Sequence, residues 1–228
     1  MNRLILIFFL LSPLSMQSHN ELCTIRKAGE NVYVSSQIDD HHEINYWFKK
    51  CMANDLFTFY RVSVTSGTTG TTVVNEAYSD NIGPFEIRGG GWCGGNHLFT
   101  DEKTQTAETF SIKLYADGQS ISSDTLLKAQ IIKLEVKNRI FNPLSAEQTG
   151  DKTYFTDTLC IENVNYTIRG NSIQVDLSHD YINRTPVIIT KYYGMQSMFK
   201  DENQLLTPLG KYPFWTNIHP VSYTHLRA

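Results

Sequence analysis

The chain has 228 residues, 41% hydrophobic and 12% aromatic, a composition that excludes disorder as the default state and suffices for a real core. Its formal charge of -3 comes from interspersed acids and bases with no basic stripe, which argues against nucleic acid as a partner. The four cysteines, Cys23, Cys51, Cys93 and Cys160, match no zinc-ligand spacing, and no cofactor motif is read from the chain.

In chain order, Arg3 precedes an apolar run from Leu4 to Leu11, and small and polar residues follow to Ser18. The run is far shorter than the roughly 20 residues a bilayer requires, so residues 1–18 read as a secretory signal peptide and not as a membrane span. An exported, secreted or periplasmic protein beginning near His19 is expected. Disulfides persist in such a compartment, and four cysteines allow three pairings, with free buried thiols as the rival state. Asn165-Tyr-Thr and Asn183-Arg-Thr are glycosylation sequons if the source is eukaryotic.

Period-two patterns then predict strands around Val32 and Val34, around Ile44, Tyr46 and Phe48, and from Leu56 to Val64. Between the first two lies Ile38–Ile44 (IDDHHEI). Strand alternation places Asp39, His41 and Glu43 on one side as a candidate metal set, against the plainer reading of a solvated turn. Lys49-Lys-Cys-Met-Ala-Asn-Asp is the one segment that reads as a single helical turn. Phe110, Ile112 and Leu114 alternate with polar residues up to an Asp-Gly turn at 117–118, and Ile132, Leu134 and Val136 mark a strand with one charged face. The segment 163–178 reads as a hairpin turning at Arg169-Gly-Asn. Val187-Ile-Ile-Thr after Pro186 predicts a strand buried on both faces. The fold class is all-β, an antiparallel β-sandwich forming one domain over residues 19–220. Residues 221–228, VSYTHLRA, resemble the translated end of a sequencing adapter, so the natural chain is expected to continue beyond Pro220.

Two stretches carry candidate chemistry. The loop 80–101 contains GGGWCGGNH, with Arg88 as a cation, Trp92 as an aromatic platform, Asn96 as an amide and His97 as a titratable imidazole. Stacking aromatics beside planar polar groups are what a sugar ring requires, while a core tryptophan with turn-forming glycines is the alternative. Cys93, within this loop, reads as structural. The second stretch, 179–199, brings Thr190, Lys191, Tyr192, Tyr193 and Gln196, where a phenol beside a cation suits proton transfer.

The order NIGPF at 81–85, GGNH at 94–97 and HDYINRTPVIITKYYGMQ at 179–196 resembles the N-terminal half of galactose-mutarotase-like β-supersandwich proteins. The resemblance implies that Asn96 and His97 contact sugar, and that Tyr192 stands where the epimerases of the superfamily carry a catalytic histidine. The glutamate base of those epimerases would lie beyond Pro220. A polysaccharide-lyase-like site is also implied, in which Arg88 or Asn96 neutralises a uronate carboxylate while His97 and Tyr192 move the proton. The expectation is therefore a secreted, carbohydrate-directed protein acting on an oligo- or polysaccharide. It is lyase-like or sugar-modifying with His97 and Tyr192 catalytic, and Arg88, Trp92, Asn96, Tyr193 and Gln196 substrate-binding. The alternative is a non-catalytic glycan-binding or structural β-sandwich module.

Overall fold

The structure, a computed structural model, describes residues 22–67, 70–76, 83–194, 204–207 and 210–213. Five strands open the chain: β1 (Cys23–Ala28), β2 (Asn31–Asp39), β3 (His42–Cys51), β4 (Leu56–Ser66) and β5 (Gly70–Glu76). The short hairpin β6 (Phe85–Ile87) and β7 (Gly91–Cys93) follows, then β8 (Ala107–Ala116), β9 (Gln119–Ser120), β10 (Thr125–Ala129) and β11 (Ile132–Phe141). A 3-10 turn at Pro143–Ser145 leads to β12 (Ala146–Thr149), β13 (Lys152–Phe155), β14 (Thr158–Arg169), β15 (Ser172–Tyr181) and β16 (Ile189–Tyr192). Among the described residues the hairpin β17 (Gln204–Thr207) and β18 (Gly210–Pro213) pairs only with itself.

Two antiparallel sheets form the sandwich. One has the strand order β10-β1-β2-β3-β4-β5, the other β15-β14-β11-β8-β9. Alternation decides what lies between them: Ile25, Val34, Tyr46 and Val62 form one cross-strand row, facing Leu134, Val136, Val164 and Tyr166 of the second sheet within one core. Among the described residues Tyr166 is the largest fully buried side chain, packed edge-on to Phe48 at 5.2 Å with its hydroxyl 3.0 Å from the Thr58 hydroxyl. Each such side chain contributes about 1.5–3 kcal/mol by leaving water. The all-β sandwich expected from the period-two pattern is the observed class.

The 163–178 hairpin is in the predicted register, Arg169 opposite Ser172, and the Asp117-Gly118 turn has positive φ at both residues, as primed hairpin turns require. Four local expectations are corrected. Lys49–Cys51 continue β3, and Met52 and Asp55 bracket a tight turn with φ of 66° and 53°, which no helical turn tolerates. At Phe110 a bulge puts Ser111 opposite Lys137 and Thr109 opposite Asn138, so Phe110 is 47% exposed beneath the Arg139 guanidinium while Thr109 turns inward. The Val187–Thr190 run is not buried on both faces. Strand β16 edges a three-stranded sheet, β16-β6-β7, and leaves Ile188 52% exposed. Finally, all four cysteines are free thiols. Cys23, Cys93 and Cys160 are buried in the core as small apolar side chains, and burial pushes the thiol of Cys93 up to about 12 and that of Cys51 to about 11.

Candidate functional site

The glycine-rich loop and the 189–193 segment come together in the sheet β16-β6-β7. Register places Tyr192 opposite Phe85 and Phe85 opposite Cys93, and those side chains face the core. The intervening residues Lys191, Glu86 and Trp92 therefore face the other way. On that outer face Trp92 stacks with His97 at 4.9 Å and with Tyr193 at 5.1 Å, and the Lys191 ammonium lies 5.5 Å from the indole centroid. Lys191 and Thr190 both bond Glu86 Oε2, at 3.0 and 2.9 Å. These bonds, that of Lys191 first, hold the Glu86 carboxyl below its ordinary range, and they raise Lys191 correspondingly.

The glycines hold this loop by a clamp. Asn54, 1% exposed, donates through Nδ2 to the carbonyls of Gly94, Gly95 and His97, and its Oδ1 accepts the Thr106 amide. The Gly94 amide in turn donates to Thr106 Oγ1 at 3.0 Å. Three carbonyls converge on one side chain only because the chain bends sharply at Gly94, whose φ is +74°. At Gly90 a Cβ would lie 2.8 Å from Pro143, a close approach that requires glycine.

Trp92, His97, Tyr193 and Lys191 are thus assembled on one face. Asn96 is turned toward the clamp, its Oδ1 accepting the Ala53 amide at 2.8 Å. Arg88 is exposed at the β6–β7 turn, with its amide donating to the Ile188 carbonyl. Gln196 lies outside the described residues. Tyr192 stacks on Phe85 at 4.7 Å, with its ring 5.3 Å from that of His179. The two residues expected to share proton transfer, His97 and Tyr192, hence belong to opposite faces of the three-stranded sheet. Burial, and after it the Glu162 carboxylate, pushes the Tyr192 phenol up, away from the range of a base.

Sequence reading missed the groups with the most demanding environments. Glu162, wholly buried, lies 3.0 Å from His179 Nε2 and accepts from Asn138 Nδ2 at 2.9 Å, while Thr109 Oγ1 donates to Asn138 Oδ1 and accepts the Phe57 amide. Glu162 lies just before the predicted 163–178 hairpin, in phase with its inward Val164, Tyr166 and Ile168, and that continuation was the available signal. In the Ile38–Ile44 segment the Asp39 carboxylate accepts the amides of His41 and His42 and meets the His42 ring at 2.8 Å, closing an exposed hairpin turn. Among the described residues no group of three or more His, Cys, Asp or Glu side chains is placed to hold a metal ion, and no helix is long and apolar enough to cross a membrane. No family model matches this β-sandwich chain, and neither a curated protein nor a solved structure does.

Proposed function

We propose that this chain is an exported, carbohydrate-directed β-sandwich module that binds glycan through the outer face of its β16-β6-β7 sheet. The carrying observation is the ring stack on Trp92. Tyr193, 42% exposed, offers an aromatic platform continuous with the indole, beside the Lys191–Glu86–Thr190 cluster that can hold hydroxyls. Sugar C–H faces pack on such rings while their hydroxyls require planar polar partners, and the Asn54 clamp fixes the platform in advance, which lowers the ordering cost of binding. The geometry favours binding over elimination chemistry, since His97 and Tyr192 lie on opposite faces and the phenol is held protonated.

The test is a glycan array followed by titration calorimetry. Tyr193→Ala should lose most of the affinity and leave the melting temperature near that of the parent. A parent that captures no glycan, or a Tyr193→Ala protein that binds as before, would sink the proposal. Release of unsaturated uronate from a polysaccharide, lost in Tyr192→Phe, would instead revive the lyase-like reading.

A further inference from the structure

The outer face of the six-stranded sheet carries a row that ordinary burial preferences would not place there. Across β10, β1, β2, β3 and β4 the register aligns Leu126, Arg26, Tyr33, Trp47 and Arg61, and the neighbouring Ile25, Val34 and Tyr46 point into the core. Tyr33 stacks on Trp47 at 5.3 Å, Tyr60 meets the same indole edge-on at 4.7 Å, and Lys49 lies 3.8 Å from the Tyr60 ring centroid. One step along the strands on the same face runs a second row of small polar residues, Thr24, Ser35, Asn45 and Ser63. Tall aromatics beside short polar side chains leave a trough of about 390 Å³, within the ~300–1,000 Å³ range of small-ligand sites. The other sheet of the sandwich lacks this relief: the outward residues of β11 are Lys133, Glu135, Lys137 and Arg139, an ordinary charged surface.

We infer that this trough is a second saccharide site, distinct from the loop platform and sharing no residue with it, and that its ligand is an acidic saccharide bearing uronate carboxylates. The aromatic wall formed by Tyr33 and Trp47 suits the C–H face of a pyranose ring. The floor supplies hydroxyls from Thr24, Ser35 and Ser63, and an amide whose nitrogen already donates to Thr65 Oγ1 and the Glu43 carbonyl, so that the oxygen of Asn45 is the atom facing a ligand hydroxyl. Charge selects the class of sugar. No carboxylate is among the described lining residues, and Arg26 lines the end of the trough beside the strand on which Lys128, register partner of Thr24, lies. A planar guanidinium pairs with a carboxylate through two parallel hydrogen bonds, which neutral sugars cannot offer. At the other end Arg61 is half-buried over the Trp47 ring at 5.9 Å, whereas Arg26 is exposed, so Arg26 is the residue on which acid recognition rests. Stacked aromatics on a sheet with flanking arginines also suit single-stranded nucleic acid. The chain's net charge of -3 and a described lining with two cations favour a short acidic sugar over a polyphosphate.

The experiment is titration calorimetry on the full chain with oligogalacturonate, alginate and hyaluronan oligosaccharides, methyl-esterified oligogalacturonate, and an oligouridylate. At least one uronate oligosaccharide should bind, with affinity falling as salt rises. For oligogalacturonate, esterification should weaken binding. Arg26→Ser should weaken uronate binding at least about tenfold, the loss expected for one charge-assisted contact. Ser35→Phe, which fills the trough and replaces none of its aromatics, should abolish it, while Trp92→Ala in the loop should leave it unchanged. Failure of every uronate to bind, equal binding of ester and acid, undiminished binding by both trough variants, or binding of oligouridylate alone would each overturn the assignment. Loss of binding in Trp92→Ala with both trough variants unaffected would assign the acidic sugar to the loop instead.

Discussion

Two cross-strand rows, one in each sheet, reverse the usual sorting of side chains in opposite senses. In the five-stranded sheet Thr109, Asn138, Glu162 and His179 form a polar row that faces inward, and each member bonds the next. In the six-stranded sheet Arg26, Tyr33, Trp47 and Arg61 form an aromatic and cationic row that faces outward. The inward row couples four strands through partners that meet only in one register, since a slip by one residue turns every member to the outside. It also uses the Phe110 bulge, without which Thr109 would face solvent. The outward row stacks ring on ring, with a guanidinium over each ring, and shapes a concavity. A buried polar row thus fixes the fold, whereas an outward, half-buried aromatic row is available to something other than the fold.

This contrast is most severely tested at His179. Replacing it by alanine leaves the Glu162 carboxylate buried with one partner fewer, and unfolding free energy should fall by about 3–5 kcal/mol in chemical denaturation. Glu162→Leu combined with His179→Leu should recover most of that loss; a single His179→Ala variant as stable as the parent would show that the row holds nothing. Next in size is Thr109→Val, which removes the acceptor of the Phe57 amide and the donor to Asn138. A cost of about 1–3 kcal/mol is expected, read from the same denaturation midpoints. Smallest is Arg26→Ser on the outward row, with a change within about 0.5 kcal/mol, as for other exposed positions. If Arg26→Ser destabilises as much as Thr109→Val, the two rows are not different in kind.

What could be read from the sequence follows the range of the forces involved. The 163–178 hairpin is legible because a tight turn and period-two alternation are local, and its register follows from them. Trp92 and His97 are five residues apart within one turn-rich segment, so their grouping is also local; adding Tyr193 needs only a strand that returns beside them. The choice between Tyr192 and Tyr193 turns on which face each residue meets, and that depends on the pairing of β16 with β6. The Asn54 clamp joins segments about forty residues apart, with nothing in the Met52–Asp55 turn to announce it. The trough was hidden for another reason. Reading Val32, Val34, Ile44, Tyr46 and Phe48 as the inward set treats Tyr33 and Trp47 as their exposed complement, and only the register of four strands reveals that these form a continuous row.

The four free thiols carry a consequence for how the chain matures. Because no cross-link closes any loop of this sandwich, its folding requires neither an oxidant nor a disulfide isomerase, and a reducing environment takes nothing away from it. The same architecture is attainable on either side of a redox boundary.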